Sequence, residues 1–311
     1  MNFKQSPLAR ARPPCRKRPL ALAAAIALPA LLSGCAGGIL QPGGPIGSAN
    51  ALILFDAVGI MAAIVVPTIL AVGIFAWWFR ASNTRAHYRP DFVYSGRIEI
   101  IVWSIPILVI LFLSGVIWIG AHQLDPFTPL DPKTKPLEVD VVSLDWKWLF
   151  IYPEQDVASV NTLTVPAGVP VHFRLTSATV MNSFFVPQLG SMIATMYGMV
   201  TQLYLKADHP GDFYGESAQY SGDGFSGMHF VMHAVAQDDF KRWVSGARSS
   251  GTVLDRAGYI GLLQESQNNI PFTYGSVTPH LFDDIVKQDL PSGPGPKTGR
   301  AGSQVRPVGE Q

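Results

Sequence analysis

The chain has 311 residues, a formal net charge of +1 and 48% hydrophobic residues. A balance this close to neutral offers no basic footprint for nucleic acid, and two long apolar runs raise the hydrophobic share, so a membrane protein with a folded domain of its own is expected. Both cysteines, Cys15 and Cys35, lie near the amino terminus, which excludes a thiolate metal site and a disulfide anywhere beyond Cys35.

Arg10, Arg12, Arg16, Lys17 and Arg18 precede an apolar run from Leu20 to Leu32, the layout of a secretory signal over residues 1–34. Leu32-Ser33-Gly34-Cys35 resembles a bacterial lipoprotein cleavage box. That resemblance makes Cys35 the acylated first residue of the mature chain, tethered at the outer leaflet; the alternative is ordinary cleavage nearby with Cys35 unmodified. Residues 35–50, rich in Gly and Pro, are expected to be a periplasmic spacer.

Residues 51–79 and 98–121 are almost wholly apolar, and each exceeds the roughly 20 residues that cross a bilayer as a helix. Arg80, Arg85, Arg89 and Arg97 crowd the intervening stretch 80–97, which places that loop in the cytoplasm and both outer ends in the periplasm. Pro67 and Pro106 are candidate kinks, and Trp77, Trp78, Trp103 and Trp118 are candidate interface or packing aromatics. Asp56 and Glu99 are acidic residues within the spans or at their edges, where an ionisable group needs water, a partner or a neighbouring subunit.

After a Pro-rich connector the pattern changes to period two. Leu137–Leu144, Trp146–Tyr152, Val169–Thr176, Val200–Lys206 and Met228–Ala236 are strand candidates, and together they indicate a β-sandwich or barrel over residues 122–236. His229 and His233 fall on one face of a strand, but at about 3.3 Å per residue they sit about 13 Å apart, too far to share one ion. His172, His209, Met192, Met196 and Met199 show no metal-binding spacing. Residues 237–290 are expected to form a helical arm. Its first helix is capped by Asp238 or Asp239, a second runs over Val253–Leu263, and a third opens at Thr278-Pro279. Residues 291–311 carry almost no bulky apolar side chain and are expected to be disordered.

Ser217-Ala218-Gln219-Tyr220-Ser221-Gly222-Asp223-Gly224-Phe225-Ser226-Gly227-Met228 resembles the metal loop of subunit II of the haem-copper respiratory oxidases. In that family two cysteines, a histidine and a methionine of this loop, with a glutamate carbonyl and an upstream histidine, hold a binuclear copper centre. The resemblance puts Ser217 and Ser221 at the cysteines, Gln219 at the glutamate, Phe225 at the histidine and Asn182 at the upstream histidine, with Met228 retained. Soft thiolates bridge both copper ions, whereas a serine hydroxyl stays protonated near neutral pH, so this loop is expected to bind no copper and Met228 to serve in packing. Asp145-Trp146-Lys147-Trp148 resembles the aromatic motif through which copper-bearing relatives take electrons from cytochrome c, and with no copper behind it a packing role is expected.

The branch of the family with these losses is the quinol oxidases of the bo type. It implies two membrane helices, a cupredoxin-like Greek-key sandwich and a carboxy-terminal arm, with Asn268–Tyr274 in the middle of the arm. It also implies a subunit of a proton-pumping terminal oxidase in the bacterial inner membrane that oxidises ubiquinol, not cytochrome c, and reduces oxygen to water. Subunit I carries the haems, a copper ion and the chemistry; subunits III and IV and membrane lipid are further partners. No cofactor and no catalytic residue is expected in this chain. Glu99 matches a family glutamate linked to proton uptake by subunit I; its alternative is contact with headgroup water beside Arg97. The competing function is a lipid-anchored cupredoxin-like scaffold or binding protein outside any oxidase.

Overall fold

The computed structural model describes residues 38–87 and 90–293, so the expected signal, Cys35, Arg89 and positions 294–311 of the expected tail lie outside the described residues. The two apolar runs form α1 (Pro45–Trp78) and α2 (Gly96–Gln123). At 1.5 Å per residue they reach about 51 Å and 42 Å, well over the roughly 30 Å of a hydrocarbon core. Both continue through their internal prolines, Pro67 and Pro106. They meet where the Ile53 side chain rests on Gly120; a Cβ there would lie 2.7 Å from Ile53.

The start of α1 departs from expectation, because the helix begins at Pro45 and takes up the end of the presumed spacer. Proline at the first helical position forfeits no intrahelical bond and its φ is already helical. The preceding stretch is pinned to the sandwich by main-chain bonds: Gly43 N–H donates to the Gln188 carbonyl (2.8 Å), Gly47 N–H to that of Leu189 (3.0 Å), and Asp208 N–H to that of Gly43 (2.8 Å). Backbones approach so closely that a Cβ on Gly44 would stand 2.0 Å from the Lys206 carbonyl oxygen, and one on Gly47 2.3 Å from that of Gln188. Ile46 is buried in the sandwich core.

The sandwich comprises β1 (Leu137–Leu144), β2 (Lys147–Tyr152), β3 (Val157–Val160), β4 (Thr162–Pro166), β5 (Val171–Ser177), β6 (Asn182–Phe185), β7 (Ile193–Thr195), β8 (Thr201–Leu205), β9 (Gly211–Ser217) and β10 (His229–Val235). One sheet runs β3-β2-β1-β5-β8 and the other β4-β10-β9-β6-β7, with β1–β5 and β4–β10 paired in parallel. Between them Trp148, Phe150, Phe173, Phe184 and Phe230 are fully or nearly fully buried, with neighbouring ring centroids 5.1–6.4 Å apart. Such offset and edge-to-face pairs each add about 0.5–1.5 kcal/mol beyond their area.

The arm differs from the all-helical reading. It contains α3 (Gln237–Arg248), β11 (Val253–Leu254), α4 (Arg256–Leu262), β12 (Phe272–Tyr274), β13 (Ser276–Val277) and α5 (Leu281–Val286). The amino-terminal cap of α3 is Ala236, and Asp238 and Asp239 instead occupy the first turn, where the helix dipole favours negative charge. The helix expected over Val253–Leu263 is divided: Val253 and Leu254 pair with β13, and α4 starts after Asp255, whose carboxylate accepts from Gly258 N–H at 2.7 Å. α5 opens at Leu281, after His280 turns the chain at φ 63°, two residues beyond Pro279. Within Asn268–Tyr274, β12 adds to the edge of the first sheet, antiparallel to β3.

A second core lies beneath the arm, where Val142, Leu144, Leu149, Ile151 and Val160 meet Tyr259, Phe282 and Ile285. β2 and β3 are therefore buried along their whole length, with no alternation of buried and exposed residues. Arg174 ties the two parts: it donates to both Asp140 carboxylate oxygens (2.7 and 2.9 Å) in the sandwich, and meets the arm with its guanidinium over the Phe282 ring and 3.7 Å from Asp283 Oδ1. Burial pushes the Asp140 carboxyl above its ordinary value, and Arg174 opposes that push.

Candidate functional site

The positions that the resemblance singled out come together at one end of the second sheet. Ser217 closes β9 and Asn182 opens β6, and the Ser217 hydroxyl donates to Asn182 Oδ1 at 3.1 Å and to the Gln219 carbonyl at 3.3 Å. Ser217 N–H donates to the Met228 carbonyl (3.1 Å), and Met228 N–H to that of Phe225 (3.0 Å), closing the loop through a turn of 3₁₀ helix over Phe225–Gly227. Asn182, Ser217, Ser221 and Met228 are buried, Phe225 is half-buried against Tyr220, and Gln219 is exposed. The Met228 side chain is part of the hydrophobic core. As donors these groups are a hydroxyl pair, an amide and one thioether, a set that does not fit a bridged copper pair.

Trp146 sits over this loop at a cost in backbone strain. It stands in the two-residue turn between β1 and β2 with φ 63°, a left-handed conformation disfavoured by about 1–2 kcal/mol for a residue with a Cβ. Tertiary contacts hold it there: its indole N–H donates to the Ser221 carbonyl at 3.1 Å, and its ring lies where a Cβ on Gly224 would be, 2.3 Å away. Trp146 and Trp148 are both buried, which places the aromatic motif in packing positions.

Lys147, between these tryptophans, was not singled out from sequence. Its side chain is buried, and Nζ donates to the Gln264 carbonyl (2.7 Å), Ser266 Oγ (2.7 Å) and the Asp145 carbonyl (3.4 Å). Burial pushes its ammonium down to about 8 against the pull of Asp145 and Glu265. The arm thus crosses the metal-loop end, and Asn268 reaches Gly227, where a Cβ would lie 2.6 Å from Asn268 Oδ1. The available signal was a lysine interrupting an otherwise apolar strand.

The histidines are dispersed. His233 bonds Asp212 across the strand pair at 2.6 Å, His229 stacks on Tyr214, and His172 bonds Glu138 at 2.7 Å while stacking on Tyr204. Among the described residues no three His, Cys, Asp or Glu side chains form a metal-binding group. In the membrane helices Asp56 is exposed on α1. Glu99 lies in the first turn of α2, where its Oε2 accepts from the indole N–H of Trp103 at 3.1 Å, and among the described residues no ion pair joins it to Arg97.

Comparison with known proteins accounts for this architecture. Residues 137–235 match the family described as cytochrome c oxidase subunit II, periplasmic domain, and residues 248–288 match the COX aromatic rich motif. The chain is 48% identical over 258 residues to ubiquinol oxidase subunit 2 of Acetobacter aceti, covering 82% of this chain and 84% of that protein. It is 48% identical over 256 residues to cytochrome bo(3) ubiquinol oxidase subunit 2 of Pseudomonas putida, covering 82% of each chain. The corresponding Pseudomonas aeruginosa protein is 45% identical over 256 residues, covering 82% of this chain and 77% of that one. With two apolar helices, the subunit II sandwich and the aromatic-rich arm in one chain, this protein belongs to the ubiquinol oxidase subunit 2 family.

Proposed function

We propose that this chain serves in the bacterial inner membrane as the second subunit of a proton-pumping oxidase that takes electrons from ubiquinol and reduces oxygen to water. The observation that carries this reading is the metal loop. Its backbone is closed by main-chain bonds, yet hydroxyl, amide and phenyl groups stand at Ser217, Ser221, Asn182 and Phe225, the positions paired with copper ligands. Ubiquinol dissolves in the bilayer and delivers electrons directly to a membrane-embedded haem, so a copper relay in the periplasm has no task. Trp146 supports the same reading: it is buried, so its ring offers almost no surface to a docked carrier.

On this reading haems, the oxygen-site copper and the redox chemistry reside in subunit I, with subunits III and IV as further partners, and this chain contributes assembly and a periplasmic cap. Acylated Cys35 holds the mature amino terminus at the outer leaflet. Glu99, at the cytoplasmic end of α2, serves proton uptake.

Purification of the oxidase from its native membrane tests the assignment. A large haem-bearing subunit is expected to travel with this chain, and oxygen uptake is expected with ubiquinol but not with reduced cytochrome c. The spectrum of a mixed-valence, sulfur-bridged copper pair in the complex overturns the reading. Glu99→Ala is expected to lower turnover about tenfold with haem content unchanged; unchanged turnover and pumping remove the proton-uptake role.

A further inference from the structure

Glu99 is the fourth residue of α2, and Trp103 lies one turn further along, about 6 Å deeper into the span. Helical side chains lean toward the amino terminus, so the indole at position 103 falls back onto residue 99. The result is the 3.1 Å bond from Trp103 Nε1 to Glu99 Oε2. Both side chains line an open cleft of about 370 Å³ with Tyr94, Ser95, Ile98 and Val102. Among the described residues the indole commits Oε2 of Glu99, and no hydrogen bond engages Oε1 beside the cleft that Glu99 lines.

The chemistry of the donor gives this geometry its meaning. An indole N–H only donates and takes up no proton, so Trp103 cannot stand in a proton relay. A donor beside a carboxylate at a membrane edge replaces a water bond that the bilayer would remove, and it fixes which oxygen is free. A merely apolar residue there would fill the same space and leave the carboxylate free to swing.

We propose that Trp103 is a positioning residue for proton uptake, holding one carboxylate oxygen of Glu99 by its indole N–H so that the second stays free for proton exchange. The inference rests on the proton-uptake reading of Glu99. It is tested in the purified oxidase with three variants: Trp103→Phe, Trp103→Gln and Glu99→Ala. Trp103→Phe keeps an aromatic ring and loses the donor; it is expected to lower turnover on the order of fivefold and to displace the pH profile of turnover. Trp103→Gln restores an N–H four residues along the helix and is expected to recover most of both. A purely packing role predicts the reverse ranking, with the phenylalanine variant near wild type and the glutamine variant impaired. Haem content and co-purification of this chain control for assembly. If Glu99→Ala is slow while Trp103→Phe matches wild type in rate and pH profile, the positioning role is overturned and the proton-uptake reading stands. If Glu99→Ala itself matches wild type, the reading falls and the positioning role falls with it.

Discussion

The two ends of the sandwich are built on opposite terms. At the foot, where α1 enters, main chain meets main chain at Gly44 and Gly47 and the Phe213 ring closes on Gly43, with no space for one added carbon. At the metal-loop end the frame is also closed by backbone bonds, but its side chains fill their places with polar contacts of modest strength. The foot therefore fixes residue identity through main-chain sterics, while the loop does so only at Gly224 and Gly227, against side chains, and elsewhere fixes backbone path and burial. An end of the second kind can exchange one set of side chains for another and keep its shape.

The steepest test of that contrast is Gly44→Ala. The new Cβ would stand 2.0 Å from a backbone carbonyl that cannot rotate away. A loss of about 3 kcal/mol or more is expected, read as a lowered thermal transition of the purified complex and loss of this chain from it. Gly246→Ala, in α3 of the arm where a Cβ meets nothing within 4 Å, is the control and should behave as wild type.

Lys147 tests how the arm holds the loop end. Its ammonium is held near 8 by burial, against an ordinary 10.5. Between those values the unfolded chain binds more protons than the folded one, so this group's contribution to stability rises with pH across the window and is flat below it. In Lys147→Met that dependence disappears. From pH 8 to about pH 9.5 the difference between wild type and variant is expected to move in favour of wild type by about 2 kcal/mol. Thermal melts at the two pH values measure it; a constant difference would show that Lys147 is not buried as a perturbed ammonium.

Smaller effects are expected inside the loop. Ser217→Ala leaves Asn182 Oδ1 without its donor and should cost about 1 kcal/mol. Ser221 Oγ is buried with no hydrogen-bond partner among the described residues, so Ser221→Ala should be neutral or stabilising by about 0.5 kcal/mol. Equal losses at both positions would mean that the loop depends on its present side chains, against the contrast drawn with the foot.

Sequence alone determined what depends on chain chemistry and local period. The apolar runs are long enough to span a bilayer whatever surrounds them, the loop lacks thiol and imidazole by composition, and β1 was legible residue for residue because Leu137, Val139 and Val141 recur at every second position directly after Pro136. Tertiary structure alone decided where separate segments meet. The four-residue β6 exists through its pairing with β9, some thirty residues on, and β2 is buried on both faces because the arm covers it. Val253 and Leu254 left the helical pattern because β13 offered a pairing edge. The buried Lys147, the strained Trp146 and the crowded glycines of the foot share this origin. Each is set by contacts across tens of residues, which no local period or composition encodes.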